Sequence, residues 1–580
     1  MILQALAGYY RRLVEESGGD VALEGFERKE IPFVIVLDSR GGFVGLDDTR
    51  EGTEKKKLAR AFTVPKGVKK TSGIVANLLW DTPAYAVGRP KIDPKKDISR
   101  QEERAREQFQ CFQQKIRDSF PEDGRDQGVD AVLSFLERGE FNPLFAHPLW
   151  AEIEEKGLNL SFRLDRDSQL VCQRPEIIAH LTKQSAVTGP TGTQRVCLVS
   201  GEVATPARLH TAIKGVWGSQ TSGANIVSFN LDAFCSYGKA QGLNAPVGRQ
   251  VEFAYTTALN ALLSKGSAQR FQVGDSSTVF WSEKKTPLED VFADIFGGPS
   301  KENPAQADKA IRILYEAPKA GIPPIDEDYT PFYVLGLAPN AARIAVRFWH
   351  AGTVADTAQH IRQHFDDCAM VHHPGKVEHL SLFRLLVSTA LQRKSENIQP
   401  NIAGELMKAI LAGTPYPQTL LAAAVRRCRA EREIPYPRAA LLKAVLARAA
   451  RFYHQPEQEV GMALDTGNPN IGYRLGRLFA TLEKIQEEAS PGINATIRDR
   501  FYGAASGTPV AAFPHLMKLK NHHLAKLENR GRAVNLERVV GEIMDGIVDF
   551  PTHLSLQDQA RFAVGYYHQR QFFFTKNETH

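Results

Sequence analysis

Several stretches carry side chains at spacings that could do chemistry. In "AQHIRQHFDDCAMVHH", His360, His364 and Cys368 recur every four residues, and His372 and His373 follow. On a helix that interval puts two imidazoles and a thiol on one face, a donor set a metal could use. Zinc hydrolases add a glutamate beside the first histidine, where this chain has Ile361, and a surface helix with histidines is the competing reading. Carboxylates pair at Asp165 and Asp167, at Asp326, Glu327 and Asp328, and at Asp366 and Asp367. A two-metal nuclease could use such pairs to clamp phosphate oxygens. Each pair lies in a loop-like or solvated context, with no lysine or histidine at a fixed offset to complete a nuclease motif. The GxxxxGK[ST], HExxH and GxSxG signatures are absent. A metal-dependent nuclease using His360, His364 and nearby carboxylates therefore stands as the alternative, and no catalytic group, metal or cofactor is assigned.

Phosphate-binding chemistry is better supplied. Lys55, Lys56, Lys57 and Arg60, then Lys66, Lys69 and Lys70, flank Pro65, and Thr71, Ser72 and Asn77 follow as neutral donors. Lysines anchor a nucleic-acid backbone as point charges, while hydroxyl and amide groups approach base edges or phosphates at short range. A merely solubilising run reads the same way. A second basic set comprises Arg426, Arg427, Arg429, Arg432, Arg438, Lys443, Arg448 and Arg451, interleaved with Ala and Leu. Such a face could lie along a strand, and helix propensity alone could also select it.

The least ordinary stretch is "GVWGSQTSGANIVSFN", Gly215 to Asn230. It ends like a strand at Ile226, Val227 and Phe229, yet it opens with three glycines and no formal charge. Glycines 215, 218 and 223 would let main chain come close to a bulky partner, while Ser219, Gln220, Thr221, Ser222 and Asn225 furnish donors and acceptors. Lys214 stands at the entrance. A P-loop needs a lysine followed by Ser or Thr at its end, so a nucleotide cradle does not fit; a buried β-bulge does.

The elements that must position these groups are mixed. An amphipathic helix opens the chain at Ile2, Leu3, Leu6, Tyr9, Tyr10 and Leu13, without signal-peptide order, so no export is implied. "IPFVIVLDSRGGFVGL" reads as two strands joined by a turn at Ser39 to Gly42. Solvated helices are expected over roughly 97–155, the first starting near Asp97. "LSFRLD", "QRVCLVS", "NIVSFN" and "STVFW" read as strands, with a helix at "GRQVEFAYTTALNALLSK". A strand pair at "PFYVLGLAPNAARIAVRFWH" precedes an almost wholly helical remainder from Thr353. The last part offers apolar stripes such as Leu475, Leu478, Phe479, Leu482 and Ile485, which need partners in a bundle. The fold class expected is α+β: a mixed N-terminal region of short antiparallel strands and helices, then an all-α C-terminal bundle. The expected domains are 1–352 (with a helical insertion about 97–155), a helical connection 353–461, and the bundle 462–580.

The totals agree with a cytoplasmic globular protein. At 580 residues, more than one domain is expected. The 43% hydrophobic and 24% charged content is globular, and no apolar run reaches the roughly 18–20 residues that span a bilayer. Six cysteines without a CxxC pair argue against a zinc ribbon or disulfide framework. A net charge of +6 means that contact with a polyanion must come from local clusters.

Five long strings add a resemblance. They are "KKTSGIVANLLWDTPAYAVG", "CLVSGEVATPARLHTAIKGVWGSQTSGANIVSFNLDAFCSYGKAQGLNAPV", "FYVLGLAPNAARIAVRFW", "GRLFATLEKIQEEASPGINATIRDRFYGAASGTP" and "FAVGYYHQRQ". Over nearly the whole chain they resemble the large subunit of type I-C Cascade, the CRISPR RNA-guided surveillance complex. The resemblance implies a non-enzymatic subunit that checks the protospacer-adjacent motif in duplex DNA, aids strand separation, holds the displaced strand and helps recruit the nuclease-helicase. Its implied partners are target double-stranded DNA, CRISPR RNA within the complex, the backbone, guide-end-capping and small subunits, and that effector; no membrane is involved. Guide pairing reads most of the sequence in such complexes, and protein reads a few base pairs.

Related large subunits use a glycine-rich loop with amide and lysine side chains on the minor-groove side, where the code is degenerate. That role maps onto Lys214, Gly218, Ser219, Gln220, Thr221, Ser222 and Asn225. Lys66, Lys69, Lys70, Thr71, Ser72 and Asn77 are a second claimant, with Arg426 and Arg427 beside them. Gln220 and Trp217 are the candidates for a wedge between base pairs. The tail resembles the family's small subunit, which is made from within the same reading frame. Met462 is placed to be an internal start, because Glu459, Val460 and Gly461 can be encoded with a GAGG element upstream of it, and it also reads as an ordinary methionine.

Overall fold

The computed structural model describes residues 2–16, 23–53, 56–68, 70, 73–187, 194–296, 305–315, 325–455 and 460–574. By contact the chain divides into two compact units, Leu3–His210 with Phe229–Ala258, and Thr211–Ser228 with Leu259–His580.

The first unit begins with helix α1 (Ile2–Glu16), followed by strands β1 (Phe26–Glu30), β2 (Phe33–Leu37) and β3 (Phe43–Asp48). A ribbon β4 (Arg50–Thr53) and β5 (Lys56–Ala59) and the strands β6 (Ala61–Pro65), β7 (Trp80–Asp81) and β8 (Leu160–Leu164) complete its larger strands. The main sheet runs β3-β2-β8-β7, while β1 pairs with β6. "FVIVL" has no polar alternation because β2 is central and buried on both faces, antiparallel to β3 and parallel to β8. The expected hairpin at Ser39 to Gly42 is the β2–β3 connection.

The helices of 97–155 depart from the solvated expectation. Asp97 caps helix α2 (Ile98–Ser119), as its position suggests, but Phe112 and Ile116 are fully buried, and α3 (Gln127–Arg138) buries Val129, Val132, Phe135 and Leu136. These helices cover the sheet, so their apolar stripes, in α2 outnumbered by charges, face its core.

The second unit is built on an antiparallel sheet in the order β9 (Arg270–Val273), β10 (Ser276–Ser282), β11 (Pro331–Asn340) and β12 (Arg343–Thr353). Helix α4 (Arg249–Leu262) leads into it. After β12 the described chain is helical: α5 (Val354–Cys368), α6 (Leu382–Thr389), α7 (Pro400–Ala412), α8 (Gln418–Glu431), α9 (Tyr436–Phe452), α10 (Ile471–Ala489), α11 (Ile497–Gly507), α12 (Pro509–Lys526), α13 (Arg530–Met544) and α14 (Leu556–Phe574). One hydrophobic core runs from Phe280 of the sheet to Tyr567 of α14. The α+β build, mixed first and helical last, is as expected.

Two of the expected strands are reduced. "QRVCLVS" supplies only the two-residue strand Arg195–Val196. "NIVSFN" forms no strand: Ala224 bridges Ile213 and Asn225 bridges Arg343, and the ladder ends there. Alternating apolar residues favour extended chain, but a strand also needs a neighbouring edge, and here the edge extends for one residue.

Glycine decides how α10 and α14 cross. A Cβ on Gly472 would lie 2.4 Å from the Asp558 carbonyl oxygen, one on Gly476 2.0 Å from that of Phe562, and one on Gly565 2.3 Å from that of Tyr473. The two backbones therefore touch where side chains normally intervene. Gly476→Ala should force them apart and cost about 1–3 kcal/mol or more, as overpacking does. Gly503→Ala, where a Cβ meets nothing within 4 Å, should be near neutral. Chemical unfolding of the full chain tests this, and equal midpoints for the two variants would refute the close-crossing account.

Candidate nucleic-acid interface

The loop from Lys214 to Asn225 belongs to the second unit and is fixed at both ends by main-chain contacts. The Lys214 amide donates to Asn260 Oδ1 at 2.7 Å, and the Trp217 amide donates to Ser277 Oγ at 2.8 Å. Ile213 and Ala224 exchange hydrogen bonds at 2.8 and 2.9 Å, the Asn225 amide donates to Ala342 O at 3.3 Å, and Asn225 O accepts from Ile344 at 3.0 Å. A loop pinned at this many points loses little conformational freedom on binding.

The glycines have another explanation than the sequence suggested. Gly215, Gly218 and Gly223 have φ of 87°, 77° and 90°, a left-handed region L side chains rarely enter. The atoms that a Cβ would meet at Gly215 and Gly223 are the protein's own: Leu263 O at 2.5 Å and Ile213 O at 2.8 Å. These two glycines shape the loop from within. Gly218 is exposed, and its Cβ would meet only Pro339 Cγ, at 3.4 Å.

What the loop presents outward is a cluster of neutral polar groups beside a cation. Lys214, Gln220, Thr221 and Ser222 are exposed, and Ser219 and Asn225 are half-buried. Ser219 Oγ donates to Val216 O at 2.8 Å, so its hydroxyl proton is committed within the loop. Trp217 is 62% exposed, unusual for the largest apolar side chain.

The second claimant lies in the first unit and is organised around a buried acid. Asp81, 1% exposed, accepts from Lys70 Nζ at 2.6 and 2.7 Å, from the Asn77 amide at 2.9 Å and from the Thr82 amide at 2.8 Å. Lys70 also stands 3.6 Å from the centre of the Tyr85 ring. Asn77 is buried, and its Oδ1 accepts from the Val68 amide at 2.9 Å. Lys70 and Asn77 thus hold the segment together, whereas Lys66 is exposed. Lys69, Thr71 and Ser72 lie outside the described residues.

The helical arginines divide. Arg426 is exposed and Arg427 lies 3.8 Å from Glu431. The expected continuation of that basic face turns inward, because Arg438, Lys443 and Arg448 are buried. Arg438 donates to Ser388 O at 3.0 and 2.8 Å and to Glu431 at 2.5 Å; Lys443 donates to the carbonyls of Asp366 and Asp367 at 3.2 and 3.0 Å. Burial is tolerated because each cation finds acceptors.

The histidine face turns inward as well, against the expectation of a surface helix. His364 and Cys368 are buried on α5. His364 Nδ1 lies 2.6 Å from Tyr416 Oη, and His360 Nδ1 lies 2.8 Å from Leu411 O. Burial, with Arg448 nearby, holds the His364 imidazole neutral down to about 3. Burial, reinforced by Asp367, pushes the Cys368 thiol up to about 12, so it is no thiolate ligand at neutral pH. Asp367, which the sequence suggested was solvated, is 1% exposed and paired with Arg448 and Arg451. Asp167 pairs with Arg174. Among the described residues, no group of three or more His, Cys, Asp or Glu side chains is placed to hold a metal ion.

The fold and these sites define a two-unit α+β chain that carries accessible polar groups on an anchored loop and turns His364, Asp367 and several of its arginines into packing. Among the described residues no helix is long and apolar enough to cross a membrane. The family described as CRISPR-associated protein (Cas_Csd1) matches residues 6–574, nearly the whole length, and the chain belongs to that family. No curated protein matches the chain. Membership places the protein's work in a CRISPR complex with other Cas subunits and nucleic acid, in agreement with the resemblance to a Cascade large subunit.

Proposed function

We propose that the chain is the non-enzymatic large subunit of a cytoplasmic type I-C CRISPR RNA-guided complex. It recognises the protospacer-adjacent motif in duplex DNA, aids strand separation, holds the displaced strand and helps recruit the nuclease-helicase. The observation that carries this reading is the anchored loop Lys214–Asn225, whose exposed amide and hydroxyl groups have the short reach and mixed donor–acceptor character that a groove floor demands. Gly218, Ser219, Gln220, Thr221, Ser222 and Asn225 form the motif-facing surface. Lys214 and Lys66 meet phosphates, and Lys69, Thr71 and Ser72, outside the described residues, are assigned the same role from the sequence alone. Lys70 and Asn77 act through the segment they hold, and Arg426 and Arg427 contact the displaced strand. The tail from Met462 corresponds to a small subunit made by internal initiation; a pyrimidine-rich codon stretch ahead of Met462 would count against it.

Phosphate contacts are tested by salt. Each one lost lowers the slope of log K against log salt by about 0.9 on duplex DNA. Lys66→Ala with Lys214→Ala in the assembled complex should flatten the slope by about 1.8. An unchanged slope would remove both lysines from the interface.

A further inference from the structure

Trp217 has a second neighbourhood. Beside the motif loop, within the same unit, it lines an open cavity of about 610 Å³, inside the range of roughly 300–1,000 Å³ typical of sites for small organic groups. Val273, Phe296, Leu382 and Leu386 form apolar walls, Phe383 stands 43% exposed at the mouth, and Glu396 contributes the one charge among the lining residues. The Trp217 main chain is held to the buried Ser277, so the indole projects from a fixed base. The rim is reached through two successive non-glycine residues of positive φ, Gln392 at 56° and Arg393 at 55°, a strained conformation of the kind that collects at functional sites. Lys394 follows them, its amine 4.0 Å from Glu396.

We infer that this cavity receives one unpaired nucleobase of single-stranded DNA, stacked on Trp217. The inference rests on the DNA-binding reading above and deepens it. Three features choose the occupant. The cavity is continuous with the motif loop through Trp217 itself, so a strand leaving that loop reaches it directly. An indole and a phenyl ring at an apolar mouth match the π-face every base possesses. Glu396, with the Lys394 amine beside it to meet the backbone, can accept from an exocyclic amine, as acidic side chains do with cytosine N4. A base bearing an amine is therefore preferred over thymine.

The experiment uses the assembled complex with fluorescein-labelled 20-nucleotide dC and dT strands, and a motif-bearing duplex. Trp217→Ala should weaken dC-strand binding about tenfold, the order that one lost stacking contact gives. The salt slope should stay unchanged, because no counterion-releasing contact is lost. Trp217→Phe should restore most of the affinity, and Glu396→Gln should narrow the difference between dC and dT. Binding by Trp217→Ala within twofold of the parent overturns the proposal. So does loss of complex assembly with unchanged strand binding, which would mean that a protein side chain fills the cavity. If Gln220→Ala and Ser222→Ala weaken duplex binding while Trp217→Ala leaves strand binding intact, the base site fails and the motif loop stands; if all are silent, the DNA-binding reading itself fails.

Discussion

Asp367→Ala should destabilise the second unit by about 3–5 kcal/mol, the usual cost of removing one partner from a buried ion pair. Arg448 Nε donates to Asp367 Oδ2 at 2.9 Å and Arg451 Nη2 donates to Oδ1 at 2.6 Å, with the Asp367 side chain 1% exposed and that of Arg448 2%. The Arg448 guanidinium also stacks 4.6 Å from the centre of the Tyr416 ring, so it has no route to water once its counter-charge is gone. The double replacement Asp367→Leu with Arg448→Met should recover much of the loss, since well-packed apolar groups often replace a buried pair at little cost. Urea unfolding of the parent and the two variants checks this. A single variant with the parental midpoint would show that the pair is not an organising contact. The same experiment addresses the alternative nuclease, for Asp367 cannot serve both as the buried partner of two arginines and as a phosphate-clamping ligand.

Gln220→Ala combined with Ser222→Ala should reduce affinity for motif-bearing duplex by roughly two orders of magnitude while leaving guide RNA bound. Each well-made contact to a base edge is worth about 1–3 kcal/mol of discrimination. Both residues sit on the exposed tip, where the Gly223 amide donates to Gln220 O at 2.9 Å and closes the turn. Truncating them removes functional groups and leaves that closure intact. The change should be specific to the motif: affinity for duplex lacking it should barely move. An equal loss on both duplexes would indicate a general backbone contact, and no loss on either would move recognition away from this loop.

Much of the fold could be read in advance because its signals are local. The apolar run and turn of residues 33–48, the Asp97 cap and the stripe Leu475, Leu478, Phe479, Leu482 and Ile485 each depend on neighbours within a turn or two, and each stands where expected. The strand reading of Ile226 to Phe229 failed because pairing is non-local: the segment has the right residues and no edge to join. The arginine face failed for a related reason. Charge along a helix says which residues share a side, but not whether that side meets water or carbonyls such as Ser388 O and Ala409 O.

The candidate site shows the same division. Lys214, Gln220, Thr221 and Ser222 were legible as donors and acceptors on a glycine-marked turn, and they are exposed. The cavity beside Trp217 was not, since Phe383 and Glu396 come from a distant helix and turn, and the only advance hint was an apolar ring in a polar loop. The sequence by itself determined the family, the α+β class and the composition of the motif loop, because these are carried by residue identity and short-range order. Only the tertiary structure decided which charges are buried, why Gly215 and Gly223 must be glycine, and what lies beside the tryptophan. Those depend on which distant backbone atoms arrive within a few ångströms, a property of the packed chain that no local pattern encodes.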